Sequence, residues 1–195
     1  AEEKKEKGKR SEGSDGWMKA KESLKWFGIL LLVFLLGISC MTMTALASGG
    51  IDLGQEGVLN LYFGENGTGF SEVAFSIYRV ASVSEDGAYR LTSDFEQYSV
   101  SLENLDSSGW RALTQTLDAY VARDGIVPLI TRETGQDGRF QLTGLSVGLY
   151  LVTGGQYVDG NTVYTPEPML VSIPGQAVDG EWDYSVEVSC KFDKE

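Results

Sequence analysis

The chain has 195 residues, no histidine and a formal net charge of −12, a length that holds one domain plus leader segments. Without histidine there is no ordinary Ser–His triad, Cys–His dyad or His-ligated zinc site. The acidic balance argues against nucleic acid as a partner, because phosphate binding needs a basic footprint.

The sequence begins at Ala1 rather than Met and stops at Glu195 just past a predicted strand, so it reads as part of a longer protein. Residues 1–25 form a charged polar leader with eight Lys/Arg against six Asp/Glu. Residues 26–47 carry no charge at all. One reading of that run is a secretory signal peptide. Lys19, Lys21 and Lys25 supply the basic flank and Phe27 to Ile38 the apolar region. Ala45-Leu46-Ala47 supplies an A-x-A site for signal peptidase, with cleavage before Ser48. The other reading is a retained transmembrane anchor, since 22 uncharged residues can span a bilayer. The Ser-Gly-Gly that follows Ala47 favours cleavage. Cys40 after Gly-Ile-Ser outlines a lipoprotein box, but Gly37 stands where leucine is usual.

From Ser48 onward the charge reverses, with 22 Asp/Glu against 8 Lys/Arg. This suits an extracellular surface kept soluble by self-repulsion. Asp124, Asp137 and Asp159 lie in predicted loops, but no D-x-D-x-D-G spacing marks a calcium site, and no metal or other cofactor is expected. Cys190 is the one cysteine of this region. It cannot close an intramolecular disulfide, so the exported fold must stand without one.

In chain order, 48–57 is a Gly-rich lead expected to be flexible. Val58–Phe63 is the first strand, and GENGTG at 64–69 is a turn. Val73–Val80 alternates Val73, Phe75 and Ile77 against Ala74, Ser76 and Tyr78. Glu85-Asp86-Gly87 then turns into Tyr89–Thr92. Trp110, Leu113, Leu117, Tyr120 and Val121 fall on one helical face, with Ser107 or Ser108 as N-cap and Gly125 at the end. Thr131–Gly138 is predicted as a polar loop. Arg139–Leu142 alternates, GLSVG at 144–148 links, and Leu149–Thr153 is a central strand. Gly154–Gly160 turns, and Pro166 and Pro168 flank an extended segment. Met169–Ile173 and Trp182–Val188 close the sheet. In the last strand Trp182, Tyr184, Val186 and Val188 alternate with Asp183, Ser185 and Glu187, the period of a strand with one buried face. Short strands with Gly and Pro turns imply a mainly β sandwich with one inserted α-helix.

That last strand runs into Lys191, the first lysine after Lys25. The run W-x-x-x-V-x-V-x-x-K through Trp182, Val186, Val188 and Lys191 resembles the pilin motif of sortase-assembled pili of Gram-positive bacteria. The upstream YTPEPMLVSIP is similar to the segment that precedes that motif in pilin N-terminal domains. FSIYRV at 75–80 and FQLTGLSVGLYLV at 140–152 resemble the core of collagen-adhesin B-type domains. One departure stands out: Ser189-Cys190 replaces the family's Tyr-Pro, where proline would rigidify the approach to the lysine.

The resemblance spans residues 55 to 191. It implies an immunoglobulin-like, B-type sandwich over 58–191, preceded by the hydrophobic signal or anchor helix and followed by a linker beginning at 192–195. It implies a structural, adhesive cell-surface protein, secreted and held at the wall, with sortase and other pilin subunits as partners. A host or matrix ligand is not specified by it. Lys191 then has three readings: an exposed linker lysine, the isopeptide acceptor, or the start of a second domain whose isopeptide lysine is Lys191 or Lys194. Residues 48–190 contain no lysine, so no internal Lys–Asn isopeptide bond forms there. Arg79 cannot substitute, because a guanidinium stays protonated. Asp179, Glu181 and Asp183 are read as a solvated strand face rather than as catalytic carboxylates, and no enzymatic activity is expected. The alternative reading is a membrane-anchored extracellular binding module that does not polymerise.

Overall fold

Apolar–polar alternation resolves into strands across most of the described residues, 49–177 and 180–195 of the computed structural model. In order these are β1 (Gly57–Tyr62), β2 (Gly64–Glu65), β3 (Thr68–Gly69), β4 (Ala74–Val83) and β5 (Tyr89–Leu91). The helix α1 (Ser107–Asp124) follows. Then come β6 (Ile130–Glu133), β7 (Arg139–Leu145), β8 (Gly148–Gly154), β9 (Tyr157–Asp159) and β10 (Thr162–Pro166). The last are β11 (Met169–Ile173), β12 (Gly175–Gln176), β13 (Trp182–Asp183), β14 (Ser185–Ser189) and β15 (Phe192–Lys194). Residues 1–48, and with them the cleavage residues Ala45, Ala47 and Ser48, lie outside the described residues.

Two sheets form the sandwich. In one, β1 is central, antiparallel to β7 and parallel to β14. In the other the order is β11-β8-β4-β5, with β6 also pairing β4. Leu59, Leu61, Phe75, Ile77, Leu142, Tyr150 and Val152 fill the space between them. The second sheet is covered on its outer face too. There Tyr78, Val80, Leu149 and Leu151 meet Leu113, Leu117 and Val121 of α1. A strand buried on both faces loses its alternation, and β8 accordingly reads as a continuous apolar run, buried from Gly148 to Val152. The same cover buries Tyr78, which the alternation of β4 sets opposite Phe75 and Ile77. A register shift between Arg79 and Ala81 turns both Val80 and Ala81 toward the helix side.

The helix forms where its apolar stripe demands it, but its cap differs from the expectation. Asp106, in extended backbone, is the N-cap, and its carboxylate accepts from the Gly109 N–H at 2.7 Å and the Ser108 hydroxyl at 2.8 Å. Ionised, it also complements the positive helix end, which serine cannot do. Gly125 closes the helix in the left-handed conformation (φ 62°).

Three expected irregular segments are strands. Ile130–Glu133 pairs β4, Tyr157–Asp159 pairs β10, and Phe192–Lys194 pairs the other edge of β10. Their side chains are largely exposed, so no apolar alternation announced them; main-chain ladders and one half-buried apolar residue each, Ile130, Tyr157 and Phe192, place them. The predicted strand Trp182–Val188 is broken at Tyr184: β13 pairs β12, and β14 pairs β1. The lead, expected to be flexible, is tied down. Ile51 is buried with Val83 and Val147, the Tyr184 hydroxyl accepts from the Asp52 N–H at 2.7 Å, and Trp182 Nε1 donates to the Gly49 carbonyl at 2.9 Å.

Candidate functional site

Of the residues read as a pilin-like motif, Val186 and Val188 occupy β14, an edge strand of the first sheet. Val186 and Val188 of β14 stand opposite Leu59 and Leu61 of β1 and pack on the main core. Trp182 lies further back, on β13, against the separate cluster of Ile51, Val83 and Val147. The alternation predicted for 182–188 holds: Trp182, Tyr184, Val186 and Val188 are half-buried, while Asp183, Ser185 and Glu187 are exposed. Asp183 accepts from the Ser185 N–H at 2.8 Å.

Between β14 and β15 the chain leaves one sheet for another, and Lys191 sits at that crossing, exposed. Main-chain bonds fix both flanks. The Cys190 N–H donates to the Tyr62 carbonyl at 2.8 Å, and the Lys191 carbonyl accepts from the Glu167 N–H at 2.8 Å. One residue on, Phe192 pairs Pro166. Its ring meets Phe63, Phe70 and Tyr164 edge-on at 5.5–6.0 Å between centroids, contacts worth about 0.5–1.5 kcal/mol each beyond their burial. The Cys190 side chain is 7% exposed and belongs to the main core. Burial, with the nearby Glu167 charge, pushes its thiol up to about 12.

Lys191 lines one end of a groove of about 1040 Å³ between α1 and the segment from Thr165 to Ser172. Trp110 and Thr114 of α1 form one wall, Pro166, Pro168 and Met169 the other. Asp118, also on this helix face, has its carboxyl raised above the usual range by burial. The groove therefore offers a mixed polar and apolar lining, with Arg111, Gln115, Asp118 and Glu167 beside the apolar residues and the Lys191 amine among them, an arrangement that can seat an extended peptide beside a primary amine. Glu167 and its backbone bond were not anticipated. The only sequence hint is its place between two prolines, which fixes an extended segment without naming a partner.

The other late lysine is engaged differently. Lys194 Nζ lies 2.7 Å from Glu65 Oε2 and 5.0 Å from the Tyr164 ring centroid. Hydrogen bonding to Glu65, then to Tyr164, raises its pKa, so its amine is held charged. Residues 192–195, expected to begin a linker, thus close the domain through β15. Arg79 turns its Nη2 to the Val147 carbonyl at 2.8 Å, and its buried Nε has no hydrogen-bond partner among the described residues. Asp124 accepts from Arg123 at 2.6 Å and from the Tyr98 hydroxyl at 2.5 Å. Asp137 accepts from the Arg139 N–H at 3.1 Å. Among the described residues no three or more His, Cys, Asp or Glu side chains come together as a metal site.

No protein-family model and no curated protein matches the chain. Solved structures do. The major pilin SpaD of Corynebacterium diphtheriae is 25% identical, with a TM-score of 0.44, over 73% of this chain and 31% of that one. The SpaA pilin–signal peptide complex of the same organism is 19% identical, with a TM-score of 0.40, over 69% of this chain and 95% of that one. The shaft pilin SpaA of Lactobacillus rhamnosus GG, as its D295N mutant, is 19% identical, with a TM-score of 0.38, over 71% of this chain and 46% of that one. The chain thus spans under half the length of the SpaD and Lactobacillus shaft pilin chains. The solved structures to which the described domain is similar are pilins of Gram-positive bacteria.

Proposed function

We propose that this chain is the N-terminal part of a structural, adhesive surface protein, a pilin-like subunit that sortase joins covalently through Lys191. The observation that carries the reading is the placement of Lys191: an exposed amine on a crossing held by main-chain bonds at both flanks, beside a peptide-sized groove. A sortase thiolate would first cleave the Thr–Gly bond of a second subunit's sorting motif, releasing the glycine amine and leaving a thioester. The neutral Nζ of Lys191 would then attack the thioester carbonyl, expel the thiolate and lose a proton, leaving an intersubunit amide. Lys194 is the weaker acceptor, since its proton is stabilised by Glu65 and Tyr164.

In the full-length protein Lys191→Ala should abolish high-mass covalent polymers while leaving the subunit folded, because an exposed lysine adds little stability. Lys194→Ala should leave the polymers intact. Undiminished ladders from Lys191→Ala, or none from the wild type in its own host, would favour the alternative, a membrane-anchored binding module. Export is proposed to remove residues 1–47, so the mature N-terminus is expected at Ser48. Recovery of residues 26–47 in the membrane fraction would likewise favour the alternative.

A further inference from the structure

We infer that Cys190 is a positioning residue for Lys191: its buried side chain and its N–H peg the sheet-to-sheet crossing so that the lysine is presented outward at the end of the groove. The inference rests on reading Lys191 as the acceptor. Ser189 is still paired with Tyr62 on β1, and Phe192 is already paired with Pro166 on β10. Only residues 190 and 191 cross the gap. Left untethered, each would keep backbone freedom whose loss costs roughly 1–2 kcal/mol, and the amine would wander with it.

Side-chain parity explains why residue 190 is the peg. Val186, Val188 and Cys190 point the same way, so Cys190 continues the buried face of β14 and enters the core that holds both valines. Residue 191 takes the opposite parity and faces solvent. Cys190 then bonds twice around the crossing. Its N–H donates to the Tyr62 carbonyl at 2.8 Å, and its thiol lies 3.3 Å from the Lys191 carbonyl and 3.9 Å from the Glu167 carbonyl. The Glu167 N–H completes the clamp on the Lys191 carbonyl. A proline at 190 would restrict φ but would lack the N–H that reaches Tyr62. This chain gains the same rigidity from burial and a hydrogen bond. The thiol stays protonated in its apolar surroundings, so it serves by volume and not by nucleophilicity.

The test uses the full-length protein, the pilin sortase of its source organism and a short peptide ending in L-P-x-T-G as acyl donor. Cys190→Gly removes the peg and frees the backbone, and Cys190→Val keeps an apolar peg. The glycine variant should lose at least about tenfold in kcat for Lys191 acylation with little change in KM, while the valine variant stays within about twofold of wild type. Amide exchange gives a readout independent of sortase. The Cys190→Gly change should speed exchange at Glu167 by about tenfold or more and leave the β8 amides as slow as before. A glycine variant with intact β8 protection and wild-type kcat overturns the inference, as does a valine variant as slow as glycine. If the glycine variant does not fold, Cys190→Ala decides by the same exchange at Glu167: unchanged protection there overturns the peg. A wild-type protein that sortase does not acylate at Lys191 overturns the functional reading, while exchange at Glu167 still decides whether Cys190 holds the crossing.

Discussion

Tyr150 is the largest fully buried side chain in the domain, at the centre of the sandwich. Its hydroxyl donates to the Ser146 carbonyl, so the ring is sealed without leaving a polar atom unpaired. Tyr150→Ala should cost about 3–5 kcal/mol, read from urea unfolding, because the cavity adds to the lost transfer energy. A near-neutral result would mean that the ring does not anchor the core. Asp124 makes a different kind of prediction. Hydrogen bonds from Arg123, then from Tyr98, hold its folded pKa at about 2, below the ordinary 3.8. A depressed carboxylate pKa stabilises fully above the unfolded value and loses that contribution as pH falls through the folded one. The urea midpoint should therefore fall between about pH 4 and pH 2, and Asp124→Asn should flatten that part of the curve. The pair is largely solvent-exposed, so the effect should shrink in salt. No pH dependence in that window would show that the carboxylate is not engaged in solution.

At the scale of elements, α1 is set by its stripe and its cap together. Leu117 is fully buried and Leu113 and Val121 nearly so, while Asp106 satisfies the Gly109 N–H. Asp106→Ala should cost about 1 kcal/mol by chemical denaturation, and Asp106→Ser should recover most of it. If alanine costs nothing, another group caps the helix. What was legible in the sequence follows from burial. β1, β4, β7, β8, β11 and the 182–188 alternation bury a face, so their apolar residues announce them. β6, β9 and β15 each pack only one half-buried apolar residue on the core and owe the rest of their placement to neighbours' ladders, which no local pattern records. Tyr78 is buried although the alternation sets it opposite Phe75 and Ile77, because α1, distant in sequence, covers that face. The fixed lead escaped notice for the same reason, since its partners Tyr184 and Trp182 lie more than 130 residues away. At the candidate site, the core-facing side of Val186 and Val188 was legible from the alternation. The tethers from Tyr62 and Glu167 were not, because main-chain bonds carry no residue signature.

The whole domain is organised around the route of its last residues. β14 runs parallel to the first strand, and β15 seals a separate three-stranded sheet with an aromatic plug at Phe192. The first strand and β14 are thus joined in one ladder, and the chain next to Lys191 is tied to β1 directly through parallel main-chain bonds. Residues 48–190 contain no lysine for an internal isopeptide clamp. Lys191 is the proposed point of covalent attachment between subunits. Tandem mass spectrometry of proteolysed high-mass polymer from the native host tests it most directly. The expected product is a branched peptide in which Lys191 Nζ is amide-bonded to the C-terminal threonine of another subunit. A branch at Lys194, or polymer with Lys191 unmodified throughout, would contradict it.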